Sequence, residues 1–148
     1  MHPALKPLSG IDELDRALAA SDERPLLLFK HSFTCGVSAE ALDELVAHIK
    51  AVAALRRRDD PVLAGRSASA DRPVDASYAM VTVQTHRDVS NAVARKLGVR
   101  HETPQALLIR EGRVVWSASH FRVTAEAVDA ALHLAKRLDA VSRSGKTA

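Results

Sequence analysis

The chain has 148 residues, of which 47% are hydrophobic, 26% charged and 3% aromatic, with a formal net charge of +3. These totals suit one soluble domain with a core of its own and disfavour a large aromatic ligand platform. No apolar run approaches the roughly 18 residues of a membrane span, and the only basic cluster, Arg56-Arg57-Arg58, is followed at once by Asp59-Asp60. Neither a membrane nor a nucleic acid is therefore an expected partner.

A single cysteine allows no internal disulfide, and the start of the chain, Met1-His2-Pro3-Ala4-Leu5-Lys6, carries no apolar leader. Both point to a cytoplasmic protein.

Ser9 is a candidate cap for a helix reaching Ala20, with Leu14 and Leu18 on one face. Pro25 opens Leu26-Leu27-Leu28-Phe29, too short for a helix and apolar throughout, as a buried parallel strand is. After the loop His31-Ser32-Phe33-Thr34, a helical pattern runs from about Gly36 to Leu55. Residues 56–76 are polar and read as a surface insertion, with partner docking as the sharper alternative. Tyr78 to Val83 reads as a second strand. A helix starting near Asp88 ends at Gly98, the usual left-handed terminator. Ala106 to Ile109 forms a third strand, Glu111-Gly112 a tight turn, and Val114 to Trp116 the return strand. Thr124 is a plain N-cap for a last helix to about Leu138, and residues 141–148 read as a flexible tail.

Alternation in the first half implies parallel strands joined by crossovers, and the second half is a hairpin followed by a helix. The expected architecture is α/β, a central mixed four-stranded sheet with helices on both faces, spanning residues 1–140.

Cys35 falls where the first buried strand gives way to the long helix. Unpaired N–H groups and a partial positive charge at a helix start favour a thiolate over a thiol. The carboxyl ends of such strands are also where ligand clefts form. The tetrad reads Cys35-Gly36-Val37-Ser38. Ser38 stands where dithiol oxidoreductases have a resolving cysteine; it can offer a hydrogen bond to a thiolate but cannot resolve a disulfide. One-thiol exchange is the chemistry that remains. The plain alternative for a lone cysteine is a buried, inert one.

Thr103-Pro104 opens a strand with a residue that donates no ladder bond. The element order is similar to that of thioredoxin-like domains, in which a proline here is cis and faces the active cysteine. An ordinary trans proline at a strand start is the alternative. His31, four residues before Cys35, would favour the thiolate if protonated and close; otherwise it packs at a strand end. No Cys-His pair has metal-ligand spacing and His-x-x-x-His is absent, so no metal is expected. A Cys-His-Asp hydrolase would need an oxyanion hole, and nothing marks one.

Four stretches carry a family resemblance: Phe29-Lys30-His31-Ser32 with Thr34-Cys35 and Ser38-Ala39-Glu40-Ala41; Arg87-Asp88-Val89-Ser90-Asn91 with Lys96-Leu97-Gly98-Val99; His101-Glu102-Thr103-Pro104-Gln105-Ala106; and Trp116 with Ser119-His120 and Thr124-Ala125-Glu126. On these the chain resembles the monothiol bacilliredoxins, thioredoxin-fold stress-response proteins of the bacillithiol redox system. The resemblance implies an oxidoreductase that takes bacillithiol from S-thiolated proteins, with Cys35 as nucleophile, a low-molecular-weight thiol as co-substrate and no tightly bound cofactor. Thr34, Gly36, Val37, Ser38, Thr103, Pro104, Ser119 and His120 would line its thiol and substrate site. Bacillithiol carries a malate, so His120, Arg122 and the start of the last helix would meet its two carboxylates. The family tetrad more often reads Cys-Pro-Ile-Ser, and Gly36-Val37 are closer to the Cys-Gly-Phe-Ser of monothiol glutaredoxins. That keeps open two alternatives, a protein using glutathione or carrying an iron–sulfur cluster, and a non-catalytic thioredoxin-fold stress adaptor.

Overall fold

The structure is a computed structural model that describes residues 1–58 and 73–144. Its elements in chain order are β1 (Leu5–Pro7), α1 (Ile11–Ala20), β2 (Leu26–His31), α2 (Gly36–Arg58), β3 (Ser77–Thr82), α3 (Arg87–Leu97), β4 (Gln105–Arg110), β5 (Arg113–Ser119), a 3-10 turn (His120–Arg122) and α4 (Ala125–Ser144). The strands form one sheet in the order β1-β3-β2-β4-β5. β3 runs parallel to both β1 and β2, whereas β4 is antiparallel to β2 and to β5.

β2 is apolar along most of its length because it is central and covered on both faces, and only His31 at its end is partly exposed. Leu27 and Phe29 pack with Ala41, Leu45 and Ile49 of α2 and Val128 and Leu132 of α4. Leu26 and Leu28 pack on the opposite face with Leu14 of α1 and Val89, Ala92 and Val93 of α3. The hairpin between β4 and β5 turns on Glu111 (φ 53°) and Gly112 (φ 72°). Two consecutive positive φ values are what a two-residue turn needs to match strand twist. Gly98 closes α3 at φ 64°, and the Thr124 hydroxyl caps α4 by accepting the Ala127 N–H at 3.1 Å.

Several expectations need correction. The sheet has five strands rather than four: β1 has only three residues, too few to show a pattern, and its Pro7 is tolerated because β1 is an edge. Ser9 does not cap α1. Gly10 holds that position, and the Ser9 N–H donates to Glu13 Oε2 at 2.9 Å. Both ends of the segment 56–76, expected as a surface insertion, belong to the described fold. Arg56–Arg58 are the last residues of α2, and Val74 and Ala76 are buried in the core, beside an Arg56–Asp75 ion pair at 2.8 Å. The rest of that expected insertion, 59–72, lies outside the described residues, as do 145–148 of the expected tail. Residues 141–144 continue α4.

One residue of β2 breaks its apolar run. Lys30 is fully buried on the α3 face, and burial lowers its pKa to about 8. Its charged form is thus disfavoured in the fold relative to the unfolded chain. That penalty is fully present below pH 8 and is relieved as pH rises from about 8 towards the unfolded value of 10.5. The unfolding free energy is expected to rise between pH 8 and pH 10 in urea titrations, and Lys30→Met to flatten that rise. An equal rise in both proteins would contradict this origin.

Candidate functional site

Cys35 is the N-cap of α2. Its carbonyl accepts the first helical bond, from Ala39 N–H at 3.1 Å, and its own N–H reaches Ser32 O at 3.4 Å. The side chain is half-buried and free of any disulfide. The first turn of α2 carries no carboxylate, so the helix-start field beside the sulfur is unopposed from within that turn.

Ser38, three residues on, is fully buried. Its hydroxyl accepts the Ser32 N–H at 2.9 Å and lies 2.8 Å from His31 Nδ1. The residue that replaces a second cysteine therefore binds the incoming loop to the helix. No hydrogen bond joins it to the Cys35 sulfur among the described residues. Burial pushes the His31 pKa below its ordinary value, with a hydrogen bond to Ser38 opposing in part. The ring is neutral near pH 7, is turned to Ser38 and stacks near Phe29 at 6.0 Å between centroids. It lacks the positive charge by which it would have favoured the thiolate.

The loop before Cys35 is also held from β3's side. Gln84 Nε2 donates to Ser32 Oγ at 2.6 Å and to Thr34 Oγ1 at 3.1 Å, while Gln84 Oε1 receives the Phe33 N–H at 3.4 Å. Thr34 is thus tied back into the loop. Gln84 was missed in the sequence, although its place just past the carboxyl end of a parallel strand marks the cleft edge. Phe33 itself is 61% exposed.

The Thr103-Pro104 peptide is cis. The ladder between β2 and β4 pairs Lys30 with Gln105, so Pro104 follows opposite His31, at the same end of the sheet as the loop into Cys35. Ser119 pairs with Gln105, and the His120 N–H donates to Pro104 O at 3.0 Å. His120 has φ 54°, a left-handed conformation that turns the chain out of β5. The 3-10 turn then meets α2: Val37, Glu40, Glu44, His120 and Phe121 line a cavity of about 140 Å³, and Phe121 is 74% exposed.

The fold therefore gathers the sequence-expected residues at one end of the sheet. It also shows that the start of α4 is not an open anion cradle. The Ala125 N–H is taken by Glu44 Oε2 at 2.8 Å and the Ala127 N–H by Thr124. The polar side chains of the turn that precedes it are those of His120 and Arg122. Among the described residues no cluster of three or more metal-ligating side chains occurs, and no helix is long and apolar enough to cross a membrane.

Residues 6–56 and 64–128 match the family model described as monothiol bacilliredoxin BrxC. Among solved structures, the chain is similar to a provisionally assigned oxidoreductase with a thioredoxin fold, at 27% identity over 86% of this chain and 93% of that one, TM-score 0.63. Oxidised mitochondrial thioredoxin 3 from Saccharomyces cerevisiae matches at 12% identity, 87% and 93% coverage and TM-score 0.57. A mutant thioredoxin from Halobacterium salinarum matches at 19% identity, 89% and 91% coverage and TM-score 0.55. The last two show the fold alone. The chain, with its one thiol at a strand-to-helix junction, belongs to the monothiol bacilliredoxin family and so to the thioredoxin-fold thiol oxidoreductases.

Proposed function

We propose that this protein removes bacillithiol from S-bacillithiolated protein cysteines in the cytoplasm, with Cys35 as the nucleophile. The observation that carries this reading is the pairing of a half-buried Cys35 at the N-cap of α2 with a fully buried serine at the fourth position. The thiolate of Cys35 attacks the bacillithiol sulfur of the mixed disulfide. The sulfur–sulfur bond to the target breaks, and the target cysteine leaves as a thiolate. Cys35 now holds bacillithiol. A second bacillithiol, as thiolate, attacks that adduct, giving bacillithiol disulfide and free Cys35. No residue of the chain can perform the second step, because the sequence holds no second thiol.

In this reading Gly36, Val37 and Ser38 supply the helix start beside the sulfur, and Thr34 and His31 act by shaping the loop. Thr103 and Pro104 form the facing wall, where backbone groups hold an extended target segment. Ser119, His120 and Arg122 flank the bacillithiol, the His120 ring and the Arg122 guanidinium meeting its malate. Exposed Phe33 and Phe121 offer apolar contact to the target protein.

Wild-type protein incubated with an S-bacillithiolated substrate is expected to react once and stall as a Cys35 adduct, seen as a mass increase of one bacillithiol. Added free bacillithiol should restart it, and Cys35→Ala should be inert. Turnover without added thiol would refute the one-thiol mechanism. Parallel incubation with a glutathionylated substrate separates bacillithiol from glutathione as the small thiol, and equal or better reaction with glutathione would refute the thiol assignment.

Ser38→Ala removes the hydroxyl that pairs Ser32 N–H and His31, leaving part-buried polar groups unsatisfied. It is expected to destabilise the fold by about 1–3 kcal/mol in urea titrations. Ser38→Cys should discharge the Cys35 adduct without added thiol, by attack of the new sulfur on Cys35.

A further inference from the structure

Lys30 and Gln105 are directly opposed in the sheet, and both are buried. Opposed residues of an antiparallel pair project to the same face, here the α3 face. Both reach into residues 99–104, which have no regular secondary structure. Gln105 Nε2 donates to Arg100 O at 3.0 Å. Lys30 Nζ lies 2.6 Å from His101 Nδ1 and 3.4 Å from Ser90 O of α3. On the other side of the same ring, His101 Nε2 is 3.2 Å from Thr103 Oγ1.

The proton positions follow from chemistry. An ammonium can only donate, so Nδ1 of His101 carries a lone pair and the hydrogen sits on Nε2. The Nε2–H then donates to Thr103 Oγ1. Burial, the Lys30 charge and the Arg87 charge from the start of α3 all hold the His101 pKa below its ordinary value, keeping the ring neutral. A protonated ring would face the ammonium with a second donor and break the first link.

Lys30 has no carboxylate partner within 4 Å among the described residues. A fully buried lysine with only a histidine nitrogen and a carbonyl for company is an expensive residue to hold in a central strand. An apolar side chain would fit the packing of β2 as well. What distinguishes lysine at this position is the reach of its ammonium to His101.

We propose that Lys30 is a positioning residue for the substrate wall: through the Nε2–H tautomer of His101 it clamps Thr103, and with it the Thr103-Pro104 segment, against the end of β2. The proposal rests on reading that segment as the wall that holds the target protein. Lys30 acts on capture of the protein substrate and leaves the reactivity of the thiol alone, since its partners lie on the α3 face and none of them is in the Cys35 loop or α2.

Lys30→Met keeps length and packing while removing the donor. Imidazole nitrogen NMR on labelled protein should show His101 in the Nε2–H form in wild type. In Lys30→Met that tautomer preference should be lost and the His101 titration should move to higher pH. This readout needs no substrate, so it stands apart from the identity of the small thiol. In single-turnover assays, Lys30→Met should raise the concentration of S-thiolated protein needed for half-maximal rate by about tenfold, the scale of one lost hydrogen bond to a charged group. Cys35 alkylation by iodoacetamide should change by less than about twofold. Thr103→Val, which removes the far end of the relay, should raise the half-saturating concentration similarly while leaving the His101 tautomer as in wild type. An unchanged tautomer in Lys30→Met, an unchanged half-saturating concentration in either variant, or a parallel fall in alkylation rate would each overturn the clamp.

Discussion

The end of β2 is where this structure is most constrained. The strand is buried on both faces, yet its last residues and the one after it are polar: Lys30, His31 and Ser32. Inside a protein each buried polar group must find a partner, and such partners are directional. These three find theirs on three different parts of the chain. Lys30 reaches the His101 loop, His31 reaches Ser38 in α2, and Ser32 reaches both Ser38 and Gln84. One short segment thus sets the positions of the Cys35 loop, the start of α2 and the approach to Pro104.

The two helix starts near the site are treated differently. That of α4 is partly occupied, its Ala125 and Ala127 N–H groups taken by Glu44 and Thr124. That of α2 is capped by the backbone of Cys35 and carries no carboxylate in its first turn. Helix-start polarity falls off within a turn, so it is available where the sulfur is and largely used up where the expected anion cradle would have been. The donors left at the second wall are side chains, His120 and Arg122, with Glu40 and Glu44 lining the cavity below. Recognition of a dicarboxylate there would depend on side-chain placement more than on a helix dipole.

Ser38 has two meanings that coincide. As the absence of a second thiol it limits the protein to one-thiol exchange. As a buried hydroxyl it ties the Cys35 loop to α2 and engages His31, which burial keeps neutral. A dithiol version of this site would have to find another anchor for the Ser32 N–H. The one-thiol tetrad is thereby tied to the local architecture as well as to the chemistry.

Much of the fold was legible in order and type of element. β2 showed by the apolar run Leu26–Phe29, α3 by its periodicity and Gly98, and the hairpin by Glu111-Gly112, because burial on two faces, helical spacing and positive φ each leave a local mark. β1 left none, being three residues long and an edge. Of the site, Cys35 and Ser38 stood out by spacing and Pro104 by its place at a strand start. Gln84 and the partners of Lys30 did not, since their roles rest on contacts across 52 and 71 residues of chain. The sequence by itself determined that there is one thiol, that it follows a buried strand, and that no second thiol can resolve it. Only the tertiary structure decided that His31 is neutral and turned to Ser38, that the start of α4 is already capped, and that a buried lysine reaches the loop before Pro104. Charge state and hydrogen-bond partner depend on burial and on neighbours remote in the chain, and neither is a property of local sequence.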